Sequence, residues 1–209
     1  MKELLRGNLP TSFLIGGKKY EISSDFRTML ELEEVFSSDD LTDAEKAEQA
    51  LQLFYGCIPA AVDEAVEKLC FFWQCGRKEK QSKRPRQAAG EEFYQPPIYS
   101  FTHDAGLIYG AFLTQYGMDL TDVEYLHWWK FKAMFECLEE DRLMKEVMRC
   151  RAVDVQGDMP QVQKDYYNAM KRRYELPLPE RMERHRSALE AALMGDGKVD
   201  EVMKCRNEK

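Results

Sequence analysis

The sequence has no run of about 18 apolar residues, so nothing in it reads as a membrane span. It has no secretory leader: Met1-Lys2-Glu3-Leu4-Leu5 is followed at once by Arg6, glycine and polar residues. Without export, the six cysteines (57, 70, 75, 137, 150 and 205) read as reduced thiols of a cytosol. Basic charge is not in excess. Thirty Lys and Arg against 37 Asp and Glu leave a net charge of −7, which argues against a nucleic-acid coat and an anionic-membrane binder. There is no internal repeat, no G-x-S-x-G elbow and no phosphate-binding loop; Gly16-Gly17 and Gly195-Asp196-Gly197 lack the lysine and hydroxyl context and read as turns.

What is present suffices for a folded protein. The chain has 209 residues, 44% of them hydrophobic, which excludes wholesale disorder and a collagen-like fibre. That length fits one domain or two small ones and buries a core without disulfide or metal staples. The charge is uneven along the chain. Residues 1–75 and 98–154 are acidic, with nets of −7 and −4. Residues 76–97 between them carry +3, and residues 155–209 are near neutral but densely charged. Half of the 24 aromatic residues fall between Phe93 and Phe135.

Phe13-Leu14-Ile15 and Lys18-Lys19-Tyr20-Glu21-Ile22 around Gly16-Gly17 predict a β-hairpin. Asp25 can cap a helix with an apolar stripe of Phe26, Met29, Leu30, Leu32, Val35 and Phe36. Thr42-Asp43-Ala44-Glu45 reads as a capping box opening a helix with Ala47, Ala50, Leu51, Phe54 and Tyr55 inward. A third helix is expected from near Pro59, through Val62, Val66, Leu69, Cys70 and Trp73, to Gly76. Residues 76–97 offer little to bury before Phe93 and read as a linker or long surface loop.

Beyond it, a helix is expected from about Thr102 to Tyr116, with Gly106 and Gly110 on a shared face open to close approach and Gly117 just past its end. Thr121-Asp122-Val123-Glu124 reads as a second capping box, opening a helix that is apolar nearly all round to Leu138. A helix from about Asp141 to Arg151 and periodic stretches from Gln161 to Tyr174 and Pro179 to Met194 follow. The expected fold is mainly α: a small N-terminal β-hairpin, then a multi-helix bundle with a long basic loop and a helical C-terminal arm. The divisions are 1–75, 76–97, 98–154 and 155–209, the two halves flanking the loop packing as one domain.

Residue chemistry points to no reaction. Cys70 and Cys75 are five apart with no second pair, and His127 and Cys137 fall nearly opposite one another on a helix, so no zinc set forms. Cys137 and Cys150 sit among helix core positions, where cysteine acts as a small hydrophobe. His103 and Asp104 read as helix-opening residues. Glu139-Glu140-Asp141 and Ser38-Asp39-Asp40 read as solvated helix boundaries. No catalytic, metal or cofactor residue is assigned. The cations Arg77, Lys78, Lys83 and Arg84 suit either a solvated linker or an acidic protein partner. With no aromatic residue interleaved to stack on bases, nucleic acid is the weakest reading. Trp128 and Trp129 point about 100° apart on a helix. Either each packs on a different neighbour, or one anchors a partner, as tryptophan does in interfaces.

The segment from Tyr116-Gly117-Met118-Asp119-Leu120 through His127-Trp128-Trp129-Lys130-Phe131-Lys132 resembles the signature of the bacteriophage "gene product fifteen" family of Gram-positive phages and prophages. Ala111-Phe112-Leu113 before it, Met-Arg-Cys-Arg at 148–151 and Tyr174-Glu175-Leu176-Pro177 after it, and Leu9-Pro10-Thr11 upstream extend the resemblance over about residues 5–180. It implies a non-enzymatic tail assembly chaperone of a long-tailed phage, in the host bacterial cytoplasm, that binds the tape measure protein and delivers tail tube protein. A structural tail or tail-completion component is the alternative. Tyr116, His127, Trp128, Trp129 and Lys130, with the loop cations, are then the expected protein-binding residues, and a homo-oligomer is compatible.

Overall fold

The computed structural model describes residues 2–77, 97–155, 157 and 159–177. A short helix α1 (Lys2–Arg6) leads into the hairpin β1 (Ser12–Ile15) and β2 (Lys18–Glu21), in which Phe13 faces Tyr20 and Ile15 faces Lys18. Gly16 and Gly17 both hold positive φ, 56° and 78°, as a two-residue hairpin turn requires. Helices α2 (Phe26–Ser37), α3 (Asp43–Tyr55) and α4 (Val62–Trp73) follow. The second half holds α5 (Ala105–Tyr116), α6 (Trp128–Glu136), α7 (Leu143–Ala152) and α8 (Gln161–Arg173). The described residues are thus mainly helical behind a small N-terminal hairpin.

Local chemistry sets the first three main helices. The Asp25 carboxylate accepts from Arg27 N–H at 3.0 Å and caps α2. Before α3, Thr42 Oγ1 accepts from Glu45 N–H at 3.3 Å while Glu45 Oε2 accepts from Thr42 N–H at 2.8 Å, a reciprocal cap of about 1 kcal/mol. Gly56 ends α3 in the left-handed conformation. Helix α4 starts at Val62, three residues past the expected Pro59, which is instead fully buried in the connection.

One core spans both halves of the chain, from Ile15 to Met144. Phe131 lies at its centre, stacked on Phe26 at 4.8 Å and on Phe112 at 5.1 Å, with Trp128, Phe101 and Phe135 around it. Offset stacks of this kind add about 1 kcal/mol each beyond burial. The hairpin seats its Phe13 ring edge-on against Phe71 and Phe72, and Tyr20 against Tyr55. The described residues up to Glu175 form one compact unit.

Several expectations need correction. The second capping box does not form. Thr121 gives its amide and hydroxyl to Asp119 Oδ1, at 2.9 and 2.6 Å, and the helix begins only at Trp128, capped by His127. The helix expected from Thr102 starts at Ala105, because the Asp104 carboxylate is held by Ser100 N–H and by Arg151 rather than by helix amides. Helix α7 runs from Leu143 rather than Asp141. Cys137 is not a core residue; it ends α6 and is exposed. No described neighbour approaches the shared face of Gly106 and Gly110. The stretches from Pro179 onward, and most of the basic loop, lie outside the described residues.

Candidate protein-binding site

The family-like segment forms a buried joint between the two halves. Residues 24–26 and 126–128 run antiparallel: Phe26 N–H donates to Leu126 O and Trp128 N–H to Ser24 O, both at 2.9 Å. Asp25 Oδ2 also accepts from Leu126 N–H at 3.0 Å. The Arg27 guanidinium donates to Leu120 O and Val123 O at 2.9 and 2.7 Å. These bonds hold residues 120–127 in a turn and a short bridge, where local sequence favours a helix start.

His127, only 2% exposed, fastens the joint. Its Nδ1 accepts from Trp129 N–H at 3.0 Å, so the neutral ring carries its proton on Nε2 and donates it to Pro10 O at 3.1 Å. Burial holds its pKa below the ordinary histidine value. Trp128 and Trp129 are 0% and 2% exposed. Their indole N–H groups donate to successive carbonyls at the end of α4: Trp128 Nε1 to Trp73 O at 3.0 Å, Trp129 Nε1 to Phe72 O at 2.8 Å. A helix end leaves its last carbonyls without helical N–H partners; Phe72 O also accepts from Cys75 N–H at 2.9 Å. Cys75 and Gly76 then turn the chain with positive φ. A Cβ on Gly76 would stand 2.9 Å from Trp129 Cη2, so only glycine fits between α4 and that ring.

The two tryptophans therefore pack on the α4 end and are buried in the fold. Tyr116 is half-buried, its hydroxyl donating to Met134 O at 2.8 Å. Of the expected set, Lys130 and Arg77 are exposed, Arg77 forming a two-pronged pair with Glu136. Lys78, Lys83 and Arg84 lie outside the described residues.

Two polar arrangements escaped the sequence reading. Asp104, 4% exposed, pairs with both terminal nitrogens of Arg151, at 2.6 and 2.9 Å. Arg151 Nε donates to Tyr174 O at 2.8 Å, so one guanidinium ties α5, α7 and the end of α8. Lys132 donates to the Tyr99 hydroxyl at 2.6 Å, and its ammonium lies within 6 Å of four rings: Tyr99, Phe101, Trp128 and Phe135. Beside it, burial pushes the half-buried Glu33 carboxyl up from its usual range. The available signals were Asp104 at a helix start and an arginine inside the Met-Arg-Cys-Arg stretch.

The apolar surface left open lies elsewhere. Between α3 and α4 runs a groove of about 330 Å³, floored by Leu51 and Leu69 and walled by Phe36, Ala47, Val66 and Cys70. Helical periodicity assigns most of these to core faces; Leu51 and Leu69 are buried, but Ala47 and Val66 are only half-buried and Phe36 and Cys70 are exposed. The rim is acidic. Asp43 lines the groove, and Asp39 and Asp40 precede it in the exposed α2–α3 connection. On α4, Asp63 and Glu67 are exposed and stand about 60° and 100° round the helix from Val66. Among the described residues none of these five carboxylates joins an ion pair. Lys46, the one rim cation among the described residues, gives its ammonium to Phe36 O at 3.1 Å and closes the end of α2. A wider open depression over Glu45, Glu48, Gln49, Gln52, Leu53 and Ile58 covers the outer face of α3.

Among the described residues no group of three or more His, Cys, Asp or Glu is placed to hold a metal ion. No described helix is long and apolar enough to cross a membrane. Fold and surface define a small helical protein with a closed aromatic core and an open, acid-rimmed groove. The chain belongs to the family described as Bacteriophage Gp15 protein, whose model matches residues 5–176. No curated protein and no solved structure matches the chain.

Proposed function

We propose that this phage protein is a non-enzymatic tail assembly chaperone. It binds the tape measure protein in the host bacterial cytoplasm and assists assembly of the tail tube protein around it. Family membership over residues 5–176 supports the phage setting, and the open groove with its free carboxylates supports the handling of another chain. A tape measure is a long helical chain with apolar stripes, and an acidic body that stays soluble while covering them suits the task. The tryptophan joint is the scaffold of that body, and its exposed groove is the working surface.

Co-expression with the phage's tape measure protein and affinity capture tests the proposal directly. A stable complex, together with absence of this chain from purified virions by mass spectrometry, is expected. A stoichiometric band in the mature particle would favour the structural tail component instead.

A further inference from the structure

The α3–α4 groove has the chemistry of a receptor for one kind of segment. Its walls are apolar side chains of two helices with Phe36 at one end, so it takes apolar side chains rather than the backbone of an extended strand, which needs a sheet edge to pair with. A helix laying side chains at i, i+3, i+4 and i+7 along the α3–α4 cleft meets that need. Its rim then decides charge. Asp43, Asp63 and Glu67 are exposed carboxylates without described ion-pair partners, three negative charges against the one ammonium of Lys46 among the described residues, which donates to Phe36 O. A segment bordered by carboxylates would be repelled there; one bordered by lysine or arginine would be attracted.

We propose that the groove binds an amphipathic helical segment of a protein partner, its apolar stripe against Ala47, Val66 and Cys70 and its flanking lysines or arginines facing Asp43, Asp63 and Glu67. Only the partner's identity as a tape measure rests on the chaperone reading. The groove chemistry stands apart from it.

Cys70 supplies a built-in reporter, being exposed within the groove, while Cys57 and Cys137 are exposed outside it. The full chain is treated with iodoacetamide with and without a saturating synthetic 18-residue helical peptide, leucine-striped with lysine flanks, and alkylation is read by mass spectrometry. Alkylation of Cys70 should slow at least fivefold, with Cys57 and Cys137 unchanged. By fluorescence anisotropy, Ala47→Trp, which fills the groove, should weaken peptide binding at least tenfold. Asp43→Asn with Glu67→Gln should weaken it about threefold to tenfold at 0.05 M salt and flatten its salt dependence. The same peptide with glutamate flanks should not bind. Equal alkylation of Cys70 with and without peptide overturns the proposal, as does equal binding of the two peptides. Groove variants that shift the protein between monomer and dimer on gel filtration, with peptide affinity unchanged, also overturn it and make a second copy the occupant. Cys70 protection by the peptide without capture of the tape measure protein upholds the groove and sinks the chaperone reading alone.

Discussion

The tryptophan joint and the α3–α4 groove are both rich in apolar side chains, yet one is closed and the other open. In the joint every polar handle finds a partner inside the chain: both indole N–H groups, both His127 nitrogens and the Asp25 carboxylate. In the groove, apolar walls face water and the neighbouring carboxylates are unpaired. A buried surface that satisfies its own polar atoms builds the fold, whereas one that leaves them to solvent is free to meet something else.

The contrast can be broken from its strong side first. Trp128→Ala removes a fully buried ring and the indole N–H bonded to Trp73 O; it should cost about 4–5 kcal/mol in urea denaturation, a large share of the roughly 5–15 kcal/mol by which proteins are ordinarily stable. Arg151→Ala leaves the Asp104 carboxylate buried without its partner and should cost about 3–4 kcal/mol by the same measurement. Gly76→Ala forces a left-handed alanine against the Trp129 ring and should cost about 2 kcal/mol. On the open side, Val66→Thr keeps shape and should change stability by less than about 1 kcal/mol. If Val66→Thr proved as damaging as Gly76→Ala, the groove would be core and the contrast would fail.

Acid titration sharpens the same comparison. Burial keeps His127 neutral in the folded chain, while the unfolded chain takes up its proton near pH 6.5. Its contribution is therefore complete above that pH and declines as the pH falls toward the lower folded value. Glu33 has the opposite sign: its folded pKa is raised, so acidification through that value adds stability. His127→Asn retains a side-chain acceptor for Trp129 N–H without the titration. Its stability should fall less steeply than the wild type's between pH 6.5 and 5, measured by urea midpoints, since Glu33 acts equally in both.

Elements held by neighbours in sequence were legible. The Gly16-Gly17 turn, the Asp25 cap, the Thr42 box and the Gly117 stop all rest on contacts a few residues apart, and all form. The failures share one cause. Thr121-Asp122-Val123-Glu124 has the letters of a capping box, but Asp119 takes its threonine, and Asp25 and Arg27, about a hundred residues away, hold the segment out of a helix. Asp104 looked like a cap because its partner Arg151 lies 47 residues on. The adjacent tryptophans could be read as core or anchor, and only the position of the α4 carbonyls decides for core. The groove was illegible for the reverse reason: periodicity marks Ala47, Val66 and Cys70 as apolar but not as uncovered.

The indole bonds at the end of α4 also set a clock. Trp73 O waits for an N–H that lies 55 residues further along the chain. At about 5–20 residues per second of synthesis, roughly 3–11 s pass between the appearance of acceptor and donor. Over that interval the hairpin and first helices are made with Trp73 O lacking its indole donor and the Phe72 ring lacking its tryptophan neighbour. The nascent N-terminal half therefore lacks those contacts until residues 126–131 arrive.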